Sequence, residues 1–102
     1  MDQAKQELLK VLQETRVLLA LTDNDFSWSR WVDAEEALTE FDQMVANIAS
    51  DRFSDLSKLS NLYGPTAAIQ EVSLSSGWGR EFLDVAAKFD SALAGYQRET
   101  RI

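Results

Sequence analysis

The stretch Trp28-Ser29-Arg30-Trp31-Val32-Asp33-Ala34-Glu35-Glu36-Ala37-Leu38-Thr39-Glu40-Phe41-Asp42-Gln43-Met44-Val45-Ala46-Asn47-Ile48-Ala49 decides the fold. Its apolar residues Trp31, Ala34, Leu38, Phe41, Val45 and Ile48 follow one another at steps of three and four. That spacing draws one stripe along an α-helix and fits no strand. The stretch therefore reads as a helix that begins near Trp28 and ends around Ser50-Asp51, with Ser27 or Ser29 as N-cap and Asp33, Glu35 and Glu36 in the early turns, where the helix dipole favours negative charge.

The same periodicity extends to both sides. Upstream, Asp2 caps a helix expected to run to about Leu21, with Leu8, Leu12 and Leu19 on one stripe and Ala4, Val11 and Leu18 beside it. Thr22-Asp23-Asn24-Asp25 supplies turn formers. Downstream, Asp51 to Tyr63 reads as a shorter helix capped by Asp51 or Ser54, with Phe53, Leu56, Leu59, Leu62 and Tyr63 as its apolar face. Gly64-Pro65 breaks it, and Pro65 suits the first turn of a fourth helix from Thr66 to about Leu74. Gly77-Trp78-Gly79 marks a second break, where two glycines suggest backbone at positive φ. A last helix is expected from about Gly79 to Gln97, carrying Phe82, Val85, Ala86, Phe89, Leu93 and Tyr96, with residues 98–102 as a frayed tail. The expected fold is all-α: one domain over residues 1–102, an antiparallel bundle of three long helices plus one or two short ones.

The chain has 102 residues, of which 45% are hydrophobic, enough for one core without staples. It contains no cysteine and no histidine, which removes disulfides, thiolate metal sites and the commonest general base. No apolar run is long enough to span a bilayer. The polar opening Met1-Asp2-Gln3-Ala4-Lys5-Gln6-Glu7 lacks the pattern of a signal peptide, so the expected location is cytoplasmic.

The net charge is −7. Such a chain repels nucleic acid and anionic lipid, so the partner that charge implies is a basic protein. Between Asp23 and Asp42 lie seven acids and one base, Arg30, so that this segment carries −6 of the total. Asp33, Glu36 and Glu40 fall on one solvent face of the second helix. One reading makes this face a docking surface; the other makes it an ordinary solvated helix flank.

Catalytic and metal-binding readings fare poorly. Asp23-Asn24-Asp25-Phe26-Ser27 begins like a calcium loop, but its sixth position is Trp28 rather than glycine and its twelfth is Ala34 rather than glutamate. The carboxylate pairs Glu35/Glu40 and Glu81/Asp84 have no evident cleft, no Gly-x-Ser-x-Gly elbow occurs, and Gly77-Trp78-Gly79 lacks the spacing of a phosphate loop. No cofactor, no metal and no enzymatic activity are expected.

The tryptophans Trp28, Trp31 and Trp78 read first as core. The sharper alternative leaves Trp28 or Trp78, with Phe26, half exposed as anchors beside the acids. The partner-binding set under that reading is Asp25, Phe26, Trp28, Asp33, Glu36, Glu40 and Trp78. Two other readings stay open. Val17, Leu21 and Val32 sit outside the main stripes and would form the apolar interface of an adaptor subunit or homodimer. A pocket around Trp31 and Trp78 would suit a small molecule.

Two segments, Asn24-Asp25-Phe26-Ser27-Trp28-Ser29-Arg30-Trp31 and Pro65-Thr66-Ala67-Ala68-Ile69-Gln70-Glu71-Val72-Ser73-Leu74-Ser75-Ser76-Gly77-Trp78-Gly79, resemble a family of small, largely uncharacterised bacterial all-helical proteins that are similar in outline to toxin-immunity proteins. The resemblance runs from the first leucine-rich helix to Phe89. It implies a bacterial cytoplasmic protein that binds and blocks a toxin, and it brings no catalytic residue with it.

Overall fold

The computed structural model describes residues 3–27, 29–50, 56–64 and 67–100. These residues form five helices and no strand: α1 (Gln3–Leu19), α2 (Ala34–Ala49), α3 (Leu56–Leu62), α4 (Ala68–Ser76) and α5 (Gly79–Thr100). The expected caps Asp2, Asp51 and Ser54, together with Phe53, Pro65 and Thr66, lie outside the described residues.

Helix α1 is the hub, packed along both α5 and α2. It buries Leu8, Val11, Leu12, Thr15 and Leu19, the anticipated stripe with one polar member added. Opposite it, α5 buries Phe82, Val85, Phe89, Leu93 and Tyr96. A Cβ built on Gly95 would lie 3.9 Å from Ala4, and the Lys88 ammonium meets Glu14 at 3.1 Å. Small residues at 4 and 95 thus let the two backbones approach at that end. Buried residues from α1 to α5 join in one apolar cluster that includes Leu8, Phe41, Leu59, Ile69 and Phe89. Leu8, Leu12, Leu19, Phe41 and Ile48 are wholly excluded from solvent, so truncating any of them to alanine costs about 2–5 kcal/mol.

Three boundaries and one backbone conformation differ from the sequence reading. First, α1 stops at Leu19 rather than Leu21, because the Asn24 side-chain amide donates to both the Leu18 and Leu19 carbonyls, at 2.8 and 2.9 Å. An asparagine several residues downstream satisfies the orphan acceptors of the helix end.

Second, α2 begins at Ala34, not Trp28, and its N-cap is Asp33 rather than Ser27 or Ser29. The Asp33 carboxylate accepts the Glu36 amide at 3.0 Å, while Glu36 Oε1 accepts the Val32 amide at 2.7 Å. This is a capping box reaching one residue further out than usual, and it ends the helix decisively. Trp31 still reaches the core, 2% exposed, from the irregular segment before α2 rather than from a helix. The buried side of α2 is correspondingly rotated: Ala37, Phe41, Met44 and Ile48 are buried, and Ala34, Leu38 and Val45 pack at the margins.

Third, Gly77 alone among the described glycines has positive φ, at +88°. It ends α4, and the next amide, Trp78, reaches back to the Ser73 carbonyl at 2.9 Å. Gly79 is instead the first residue of α5, where a Cβ would meet Leu74 Cδ2 at 3.2 Å. Fourth, α5 continues to Thr100 instead of fraying after Gln97. Arg98 in its last turn complements the negative end of the helix dipole.

Candidate binding surface

The acidic segment divides once its partners are visible. Asp42 is held by Arg16 of α1, which donates Nε and a terminal nitrogen at 2.7 and 3.0 Å. This two-pronged hydrogen bond with Asp42, reinforced by its charge, raises the Arg16 pKa above the ordinary guanidinium value. Glu40 accepts from Arg30 and, through its other oxygen, from the Trp31 indole N–H at 3.3 Å. Arg30 also lies over the Trp31 ring, 5.4 Å from its centroid. Asp42 and Glu40 are therefore neutralised from within the chain.

The remaining acids lie nearer the start of α2. Asp33 and Glu36 are exposed but serve as cap and counter-cap. Asp25 accepts the Ser27 amide at 2.9 Å; hydrogen bonding to Ser27 through side chain and then backbone holds the Asp25 pKa below the usual carboxylate value. Asp23 and Glu35 are exposed. Val32 stands beside Asp33, Glu35 and Glu36, 81% exposed because its amide is tied to Glu36 and its neighbours Trp31 and Asp33 are both fixed. Leu21 and Val32 share one depression of about 550 Å³ with Asp25 and Asp33.

Two of the expected aromatic anchors lie in the core. Phe26 and Trp78 are buried core residues, 8% and 4% exposed, and neither is free to insert into a partner. The Trp78 indole donates to Asn24 Oδ1 at 2.7 Å, so the residue that closes α1 also holds the start of α5. The Asp25 amide adds a 2.8 Å bond to Ser76 Oγ at the same junction. Trp28 lies outside the described residues. Trp31 and Trp78 are both enclosed by the core, so neither indole lies open at the surface. Among the described residues, no three acidic side chains converge as metal ligands would, and no helix is long and apolar enough to cross a membrane.

Val17 and Leu21 are exposed, at 55% and 45%, as their positions off the stripe imply, and Val32 joins them. Leu74 and Leu83, also exposed, were not singled out by the sequence, although both fall off the buried faces of their helices. Val17 borders a second depression, about 350 Å³, between α1 and α5, with Leu18 and Val85 on its floor and Glu81, Asp84 and the Glu14–Lys88 pair on its rim.

Comparison with family models, curated proteins and solved structures finds no match. The functional reading accordingly rests on this surface.

Proposed function

We propose that the chain is a non-catalytic protein-binding domain that docks a basic partner at the start of α2, with inhibition of a bacterial toxin, in the manner of an immunity protein, as its concrete form. The observation that supports this reading is Val32, 81% exposed, set among Asp33, Glu35 and Glu36. An apolar tip ringed by like charges suits a partner with an apolar spot inside a cationic rim. The seat differs from the face first expected: Glu40 is occupied by Arg30 and Trp31. The lack of histidine and cysteine agrees with a protein that acts by occlusion. The same reading takes the fold as an antiparallel bundle of α1, α2 and α5, supported by the opposed order of Ala4 with Gly95 and Glu14 with Lys88. It also places the protein in a bacterial cytoplasm.

Reversing Asp33, Glu36 and Glu40 together would be a poor test, because each holds part of the α2 entry. Asp23→Lys with Glu35→Lys is cleaner, since both side chains are exposed. Affinity purification at about 0.1 M salt, where exposed charges still act over roughly 10 Å, should retain a basic protein on the wild type and not on the double variant. Retention of the same proteins by both, or retention of none by the wild type, overturns the reading.

A homodimer or adaptor through an apolar face is the second reading, favoured by the exposure of Val17, Leu21, Leu74 and Leu83. Sedimentation over a wide concentration range separates the two: a mass that doubles with concentration supports this one.

A further inference from the structure

Val17 lies in the last turn of α1 and Leu21 two residues past its end, where the Leu21 amide donates to the Leu18 carbonyl at 3.3 Å. Leu21 shares its depression with Val32, and Val17 shares the α1–α5 groove with Leu18 and Val85. The three exposed residues thus form a strip that starts on the α2 entry and ends in a groove between two helices. Resting on the binding reading above, we infer that this strip and groove seat a basic amphipathic helix belonging to the partner.

Two features select that occupant. The first is shape. A groove between two packed helices accepts a third helix through anchors at i, i+3 or i+4 and i+7, and the described residues include no strand whose edge could pair with an extended peptide. The second is charge. The groove is rimmed by Glu81 and Asp84, and the opposite end of the strip by Asp25 and Asp33. The lysine on the groove rim, Lys88, is engaged by Glu14 at 3.1 Å. Both ends therefore present negative charge to whatever lies between them. A second copy is a poor occupant: a two-fold contact brings the same acids face to face, on chains that each carry −7. A helix with leucines on one face and lysines flanking them satisfies both the apolar floor and the acidic rims.

The test uses the full chain, isotopically labelled, and three synthetic 16-residue peptides. One has a helical leucine stripe flanked by lysines, the second replaces the lysines with glutamates, and the third scrambles the first. The lysine peptide should bind and shift the amide resonances of Val17, Leu21, Val32 and Val85. Val17→Gln and Leu21→Gln, both at exposed positions, should each weaken it about tenfold or more with unchanged circular dichroism. Equal binding of the scrambled peptide, or of the glutamate peptide, overturns the inference. So does self-association of the free protein that Val17→Gln abolishes, because the strip then belongs to a second copy. If the lysine peptide shifts only Asp33, Glu35 and their neighbours and ignores both substitutions, the strip is refuted while docking of a basic partner survives. If no lysine peptide binds at millimolar concentration and low salt, both fall.

Discussion

The hydroxyls of Thr15 and Tyr63, 48 residues apart in the chain, meet at 2.5 Å inside the core. Thr15 Oγ1 also lies 3.1 Å from the Val11 carbonyl and donates its one proton there. Tyr63 is therefore the donor to Thr15, and the two residues form a directed relay from phenol to hydroxyl to backbone. The Tyr63 ring stacks on Phe89 of α5, centroids 3.9 Å apart and planes within 5°. One side chain after α3 thereby fastens α1 to α5.

Thr15→Val should destabilise the protein by about 1–3 kcal/mol, because it leaves the buried Tyr63 hydroxyl without its acceptor. Tyr63→Phe should cost about 1 kcal/mol, since Thr15 keeps its bond to Val11. The double variant should lose less than the sum of the two. Urea denaturation of all four proteins measures the coupling, and strict additivity would refute the relay.

Burial raises the Tyr63 pKa above its ordinary value. The folded chain then keeps a proton that the unfolded chain loses above about pH 10, so this stability is complete below that pH and declines as pH rises through it. Wild type should lose its advantage over Tyr63→Phe between about pH 10 and 11. Parallel stability curves for the two proteins would contradict the sign.

Gly77 and Gly79 flank one tryptophan and should respond differently. Gly77→Ala meets nothing within 4 Å but must hold φ at +88°, which costs about 1–2 kcal/mol. Gly79→Ala approaches Leu74 Cδ2 at 3.2 Å, the far end of a side chain 67% exposed and free to turn aside. Its effect should stay within about 0.5 kcal/mol. Thermal melts of the two variants decide between these expectations.

The helices were readable where apolar residues recur at three and four, as in Leu8, Leu12, Leu19 and in Phe82, Phe89, Leu93. The start of α2 was not, because Trp31 lies nearly in phase with Leu38, seven positions on, yet reaches the core from the irregular segment before the helix. The pattern Asp33-x-x-Glu36 was the available signal for the true cap. The acidic face was legible as charge alone. That Asp42 belongs to Arg16, 26 positions away, and Glu40 to Arg30 depends on tertiary placement. Phe26 and Trp78 showed the same limit: their size fits core and interface equally well, and only the fold separates the two.

Asn24 carries a consequence for how the protein ages and evolves. Its amide nitrogen faces two carbonyls and its oxygen faces an indole proton, so both ends of one small group are committed. Hydrolysis of that amide to aspartate preserves the outline but points a carboxylate at the Leu18 and Leu19 oxygens. The nearest chemical relative of Asn24 is thus a repulsive substitute, and spontaneous deamidation there would loosen the α1–α5 junction without any change in shape.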